Sequence, residues 1–167
     1  MGNGKWIFLW TWVNNLKIKL KNITIVLSGL LLLWFAFDIT GFSFKEIILV
    51  VSAIKDEPID VLWWIIFAIC FSLFIIKNKY GKYALLVFLV IWGFIQFPKW
   101  FTTDVNIIES YNIFFENEGT HYIIKPLKYR IIKDTYHIIL DILIFLSIIS
   151  NSLFIIMGKI TVRIKNH

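Results

Sequence analysis

The chain has 167 residues, 59% of them hydrophobic and 18% aromatic, with a mean hydropathy of +0.76, which is more apolar surface than a water-soluble domain of this length can bury. Charged residues make up 17% and leave a net charge of +6, but they fall in blocks between apolar runs, so their placement matters more than their sum. The single cysteine, Cys70, lies inside an apolar run, which excludes an intrachain disulfide and any CxxC redox or zinc site.

In chain order, the amino-terminal stretch lacks a basic start and a small-residue cleavage site, and Trp6 stands where N-myristoylation calls for Ser or Thr. It is expected to be retained and unlipidated. Trp6, Leu9, Trp10, Val13, Leu16 and Leu20 share a helical face opposite Asn14 and Asn15, which predicts an amphipathic helix lying in the inner membrane interface. The alternation of Leu16, Ile18 and Leu20 with Lys17, Lys19 and Lys21 leaves an extended end to that segment as an alternative.

Four stretches then carry no charge: Asn22 to Phe37, Val61 to Ile76, Tyr83 to Pro98 and Ile142 to Gly158. Each covers roughly 24 to 26 Å as a helix, a little under a typical hydrocarbon core and within reach of snorkelling flanks. They predict transmembrane helices over about 22–44, 59–77, 82–98 and 135–158, with extracytoplasmic segments over about 40–60 and 99–135. Ile47 to Ile54 is too short to cross and is bracketed by charge, so a surface helix or a loop packed on the membrane is expected there. In the longer segment, Ile113 to Phe115 and His121 to Ile124 flank Glu116 to Thr120, a pattern for a hairpin with Gly119 at positive φ and Pro126 ending the second strand.

Charge sorted by side sets the orientation. Lys5, Lys17, Lys19, Lys21, Lys77, Lys79, Lys82, Lys159, Arg163 and Lys165 fall on one side with no acidic residue; the other side holds seven basic and all eleven acidic residues. The basic side is expected in the cytoplasm, with both termini. Because that charge lies close to helix ends, anionic lipid headgroups account for it, and nucleic acid is not an expected partner.

Asp38, Asp60, Lys99 and Asp141 each lie about 25 to 27 Å along a helix from an inner lysine. One reading makes them markers of the outer interface, beside an aromatic belt of Trp63, Trp64, Trp100 and Tyr136. The sharper reading turns Asp38, Lys99, His137 and Asp141 inward as a polar cluster, since His137 and Asp141 share a helix face with Asp134 one turn outward. No metal is expected, because no second histidine stands at helical spacing. On the fourth helix His137, Asp141, Ser147, Asn151, Ser152 and Gly158 form one stripe, which is expected to face protein, at an oligomer interface or around a pore axis. Hydrolase, zinc-protease and phosphate-loop motifs are absent, as are central charges or proline breaks of the kind transporters use.

The expected fold is an all-α integral membrane protein: a four-transmembrane-helix bundle with an interfacial amino-terminal helix and a small extracytoplasmic loop subdomain. The richness in Ile, Lys, Asn and Phe suggests an AT-rich bacterial gene. The leading expectation for function is a non-enzymatic, cofactor-free membrane subunit that senses the envelope and anchors or regulates a cytoplasmic partner, for example in a bacterial defence or stress complex. Lys77, Lys79, Lys82 and both basic tails would make the lipid or partner contacts. The alternative is a homo-oligomeric channel or small transporter lined by the fourth helix.

Overall fold

The computed structural model describes residues 3–52, 54, 58–117, 119–123, 131 and 133–165, and these form five α-helices, a 3-10 turn and one two-stranded sheet. Three helices are long and apolar enough to span a membrane, over Phe8–Thr40, Pro58–Ile76 and Thr135–Ile164.

Helix α1 runs unbroken over Asn3–Thr40, so the expected interfacial helix is the first half of one 38-residue helix. No proline interrupts it and its glycines lie at Gly4 and Gly29, so nothing between Trp6 and Ser28 supplies a break where a change of direction would be cheap. It ends where Gly41 adopts φ 74°, while the Ser52 hydroxyl donates to the Ile39 carbonyl at 2.6 Å and the Thr40 hydroxyl to Ala36 at 3.0 Å, satisfying carbonyls of the last turns. The first expected span therefore stops short of residue 44.

Strands β1 (Phe42–Phe44) and β2 (Ile47–Val50) follow as an antiparallel hairpin turned at Lys45 and Glu46, with Lys45 itself at φ 56°. This replaces the expected surface helix or loop over 47–54. The β-branched Ile47, Ile48 and Val50 favour the pleated conformation, and the charged pair before them suits a turn.

Helix α2 (Pro58–Ile76) opens on proline, whose missing amide would be unsatisfied there in any case. Only Lys77 separates it from α3 (Asn78–Gln96). The reversal is tight enough that a Cβ on Gly81 would lie 2.2 Å from the Leu73 carbonyl oxygen. Asn78, Lys79 and Lys82 dilute the hydropathy of α3, yet it is as long as α2 and buries Leu85, Phe88, Leu89 and Trp92.

A 3-10 turn (Phe97–Phe101) leads to α4 (Val105–Asn117), which overturns the expected strand over Ile113 to Phe115. Asp104 caps it, its Oδ1 accepting the Asn106 amide at 2.9 Å, and this start signal outweighs the local β-preference of three residues. Gly119 does take positive φ, at 66°, but after a helix. Thr120 then forms a parallel bridge with Ile48, so the chain pairs with β2 instead of folding back on 113–115. Ile124, Lys125 and Pro126 lie outside the described residues. Helix α5 (Thr135–Lys165) extends well past the expected end at 158.

The long helices pack α1 on α5 and α2, and α3 on α2 and α5. Cross-contacts give each pair an antiparallel sense. Trp34 Nε1 donates to the Tyr136 carbonyl at 3.2 Å and Tyr136 donates back to the Trp34 carbonyl at 3.3 Å, while Lys17 lies beside Gly158 at the other end. Trp64 Nε1 donates to the Leu32 carbonyl at 3.1 Å, tying α2 to α1. Phe67 stacks on Phe88 with centroids 5.4 Å apart, and Trp92 meets both Phe67 and Phe35. This aromatic cluster joins α1, α2 and α3, with Leu140 and Ile144 of α5 in the same core.

Candidate functional site

The densest buried polar arrangement lies where α5 begins. Asp134 precedes the helix and caps it: its carbonyl accepts the Ile138 amide at 3.1 Å and its Oδ1 the His137 amide at 2.8 Å. The same oxygen receives His137 Nδ1 at 2.7 Å, a bond that requires the ring proton on Nδ1 because a carboxylate only accepts. Asp134 is fully buried, and a negative charge at a helix amino terminus is favoured by the helix dipole.

Lys133, also fully buried, donates to Asp141 Oδ2 at 2.5 Å and to the Gln96 carbonyl at 3.2 Å. Gln96 is the last residue of α3, so the ammonium group also meets the carbonyl-rich end of that helix where it passes into the 3-10 turn. A lysine without solvent is tolerable only because the opposing carboxylate and the carbonyl replace its hydration. The segment after α4 connects to the same place. His121 donates its amide to the Ile48 carbonyl at 2.8 Å and accepts the Thr135 amide at 2.9 Å, and its Nδ1 lies 2.8 Å from the Thr135 hydroxyl. Chemically this is a clamp of one ion pair, Lys133 with Asp141, and one hydrogen-bonded pair, His137 with Asp134, which with the His121 bonds holds the hairpin, the end of α3 and the start of α5 together. Among the described residues no group of three His, Cys, Asp or Glu side chains converges as metal ligands.

Two of the four residues expected to cluster belong to this clamp, but not with each other as partners. His137 and Asp141 bond to Asp134 and Lys133 respectively. The cation is Lys133 and not Lys99, whose side chain lies outside the described residues. Asp38 is half-buried near the end of α1, and with Asp60 and Asp134 it lies within electrostatic reach of the Tyr136 phenol. Counting charges from helix ends missed Lys133 because it stands before the helix; the capping pattern of Asp134 and His137 was the available signal.

The fourth-helix stripe faces the inside of the protein. Ser147 and Asn151 are fully buried, Ser152 is half-buried, and Asn151 Nδ2 donates to the Lys82 carbonyl of α3 at 3.0 Å. Ser150 is buried beside them and donates to the Ser147 carbonyl at 3.2 Å, while Thr24 and Ser28 are the buried polar residues of α1 at the same level. Ser147 and Asn151 are thus buried within the described helices, with Asn151 bonded to α3. The basic residues gather at the opposite end: Lys19, Lys77, Lys79, Lys159 and Arg163 are exposed, and Lys17, Lys21 and Lys82 half-buried. No protein-family model matches the chain, and neither does any curated protein or solved structure.

Proposed function

We propose that the chain crosses the membrane four times with both termini in the cytoplasm, and that it is a non-enzymatic subunit coupling its extracytoplasmic layer to a cytoplasmic partner. Counting α3 as the fourth crossing rests on its antiparallel packing between two apolar spans, α2 and α5, which it follows from Lys82 beside Asn151 to Gln96 beside Lys133. Its two lysines fall within its first turns, where snorkelling reaches the headgroups. The orientation rests on charge sorted along the chain, ten basic and no acidic residues falling on the side of the α2–α3 turn.

The observation that carries the function is α5. Its first turn is clamped to the hairpin and to the outer end of α3, and the same rigid helix continues to Lys159 and Arg163 at the basic end. A load on the outer layer therefore reaches the cytoplasmic side through α5, alongside α1, which leads directly into the hairpin. At that side α1 projects: its 38 residues reach about 57 Å, against a hydrocarbon core of about 30 Å. The projecting half carries exposed Phe8 and Trp12 above Lys19, an apolar centre with a basic rim suited to an acidic partner surface.

Purification in native nanodiscs with mass determination of the intact assembly tests the reading. A stoichiometric cytoplasmic protein is expected, and the triple change Lys17→Glu, Lys19→Glu, Lys21→Glu is expected to release it. A partner held equally well by the triple variant, or a bare ring of identical subunits that conducts ions on reconstitution, would count against the proposal.

A further inference from the structure

The outward face of α2 carries a shallow groove of about 320 Å³. The small residues Ala68 and Ser72 line it together with the larger apolar Trp64, Ile65, Ile69 and Leu73. From Trp64 to Ile76 it is about 18 Å long, close to the depth of one leaflet of a hydrocarbon core of about 30 Å. Its basic end is the tight turn into α3. The Lys77 amide donates to the Leu73 carbonyl at 2.8 Å, so Lys77 continues the line of Ile65, Ile69 and Leu73 one turn further. Lys79 follows, exposed, with its ammonium 5.2 Å from the Tyr80 ring centre. Among the described residues neither lysine pairs with a carboxylate.

From this geometry we infer that the face of α2 is a binding site for an anionic phospholipid of the cytoplasmic leaflet, one acyl chain lying on Ala68 and Ser72 and the headgroup phosphate on Lys77 and Lys79. The inference rests on the proposed orientation for its choice of leaflet. Charge at one end of the groove selects lipid over a second copy of the chain. A two-fold axis along the membrane normal would set the Lys77–Lys79 turn against its own copy, and juxtaposed like charges oppose that contact. An anionic headgroup instead meets the exposed Lys77, one residue past the groove's last lining residue Ile76, with Lys79 two residues further on.

The test is native mass spectrometry of delipidated protein titrated with dioleoylphosphatidylglycerol or dioleoylphosphatidylcholine. One phosphatidylglycerol per protomer is expected, held about thirtyfold more tightly than phosphatidylcholine if each lysine contributes its usual juxtamembrane attraction. Lys77→Glu with Lys79→Glu should remove that preference. Ser72→Phe, which puts a bulky ring into the groove from an exposed lining position, should remove retention of both lipids, and Lys159→Glu should leave both unchanged. Equal retention of the two lipids, or unchanged preference in the double variant, would overturn the site, as would a protein dimer that Ser72→Phe dissolves. Lipid retention in detergent does not depend on orientation. Labelling of a cysteine at position 79 from outside the cell would therefore defeat the leaflet assignment and the proposed topology while the retention result stood.

Discussion

The Lys133 ammonium donates to Asp141 Oδ2 where both side chains are buried, so each charge offsets much of the cost of burying the other. Removing one partner leaves a buried charge: Asp141→Ala is expected to destabilise the protein by about 3–5 kcal/mol, whereas the double change Lys133→Met with Asp141→Leu should recover most of that loss. Thermal unfolding in detergent followed by circular dichroism measures both. Asn151 behaves differently, because its amide bonds a backbone carbonyl on α3 and carries no charge. Asn151→Leu should cost about 0.6–1.7 kcal/mol by loosening the α3–α5 contact, the range for hydrogen bonds between membrane helices. A change in stability below about 0.3 kcal/mol would mean that the bond to Lys82 contributes little. That Asp141, His137, Ser147 and Asn151 face protein was legible in the sequence, because helical periodicity fixes which residues share a face. Which partner each one meets was not, since Lys133 approaches from an irregular segment whose path depends on tertiary packing.

At the scale of elements, uncharged runs located α2 and α3 to within a few residues, whereas α1 begins well before its expected span and α5 ends well after, in stretches where charge and apolar residues alternate. The lysines at 17, 19 and 21 read as a boundary between two helices, yet charged side chains do not break a helix, and α1 continues through them. Nitroxide spin labels at Thr11 and Thr40 should therefore report a separation of about 43 Å, the rise of 29 helical residues. A distance near 30 Å would require α1 to bend where the expected interfacial helix ends, and would restore that expectation. In the outer segments, a short β-favouring run was absorbed into α4 once Asp104 had capped it, and another run, Ile47 to Val50, became a strand by finding Phe42 to Phe44. Short apolar runs are decided by their neighbours, which periodicity alone does not supply.

Across the whole molecule, the central claim is that α1, α2, α3 and α5 alternate in direction through one membrane and so bring all ten inner basic residues to one side. Three of these helices qualify as spans by length and hydropathy, and the proposal counts α3 as a fourth because it packs antiparallel between α2 and α5. The most direct measurement is labelling of single cysteines with a membrane-impermeant maleimide, after replacement of Cys70, at positions 19, 79 and 159 on one side and 43 and 106 on the other. Positions 19, 79 and 159 should react only in inverted vesicles and positions 43 and 106 only in intact cells. Reaction at 79 from the outside, or at 19 and 159 from opposite sides, would show that α3 does not cross and would contradict the account.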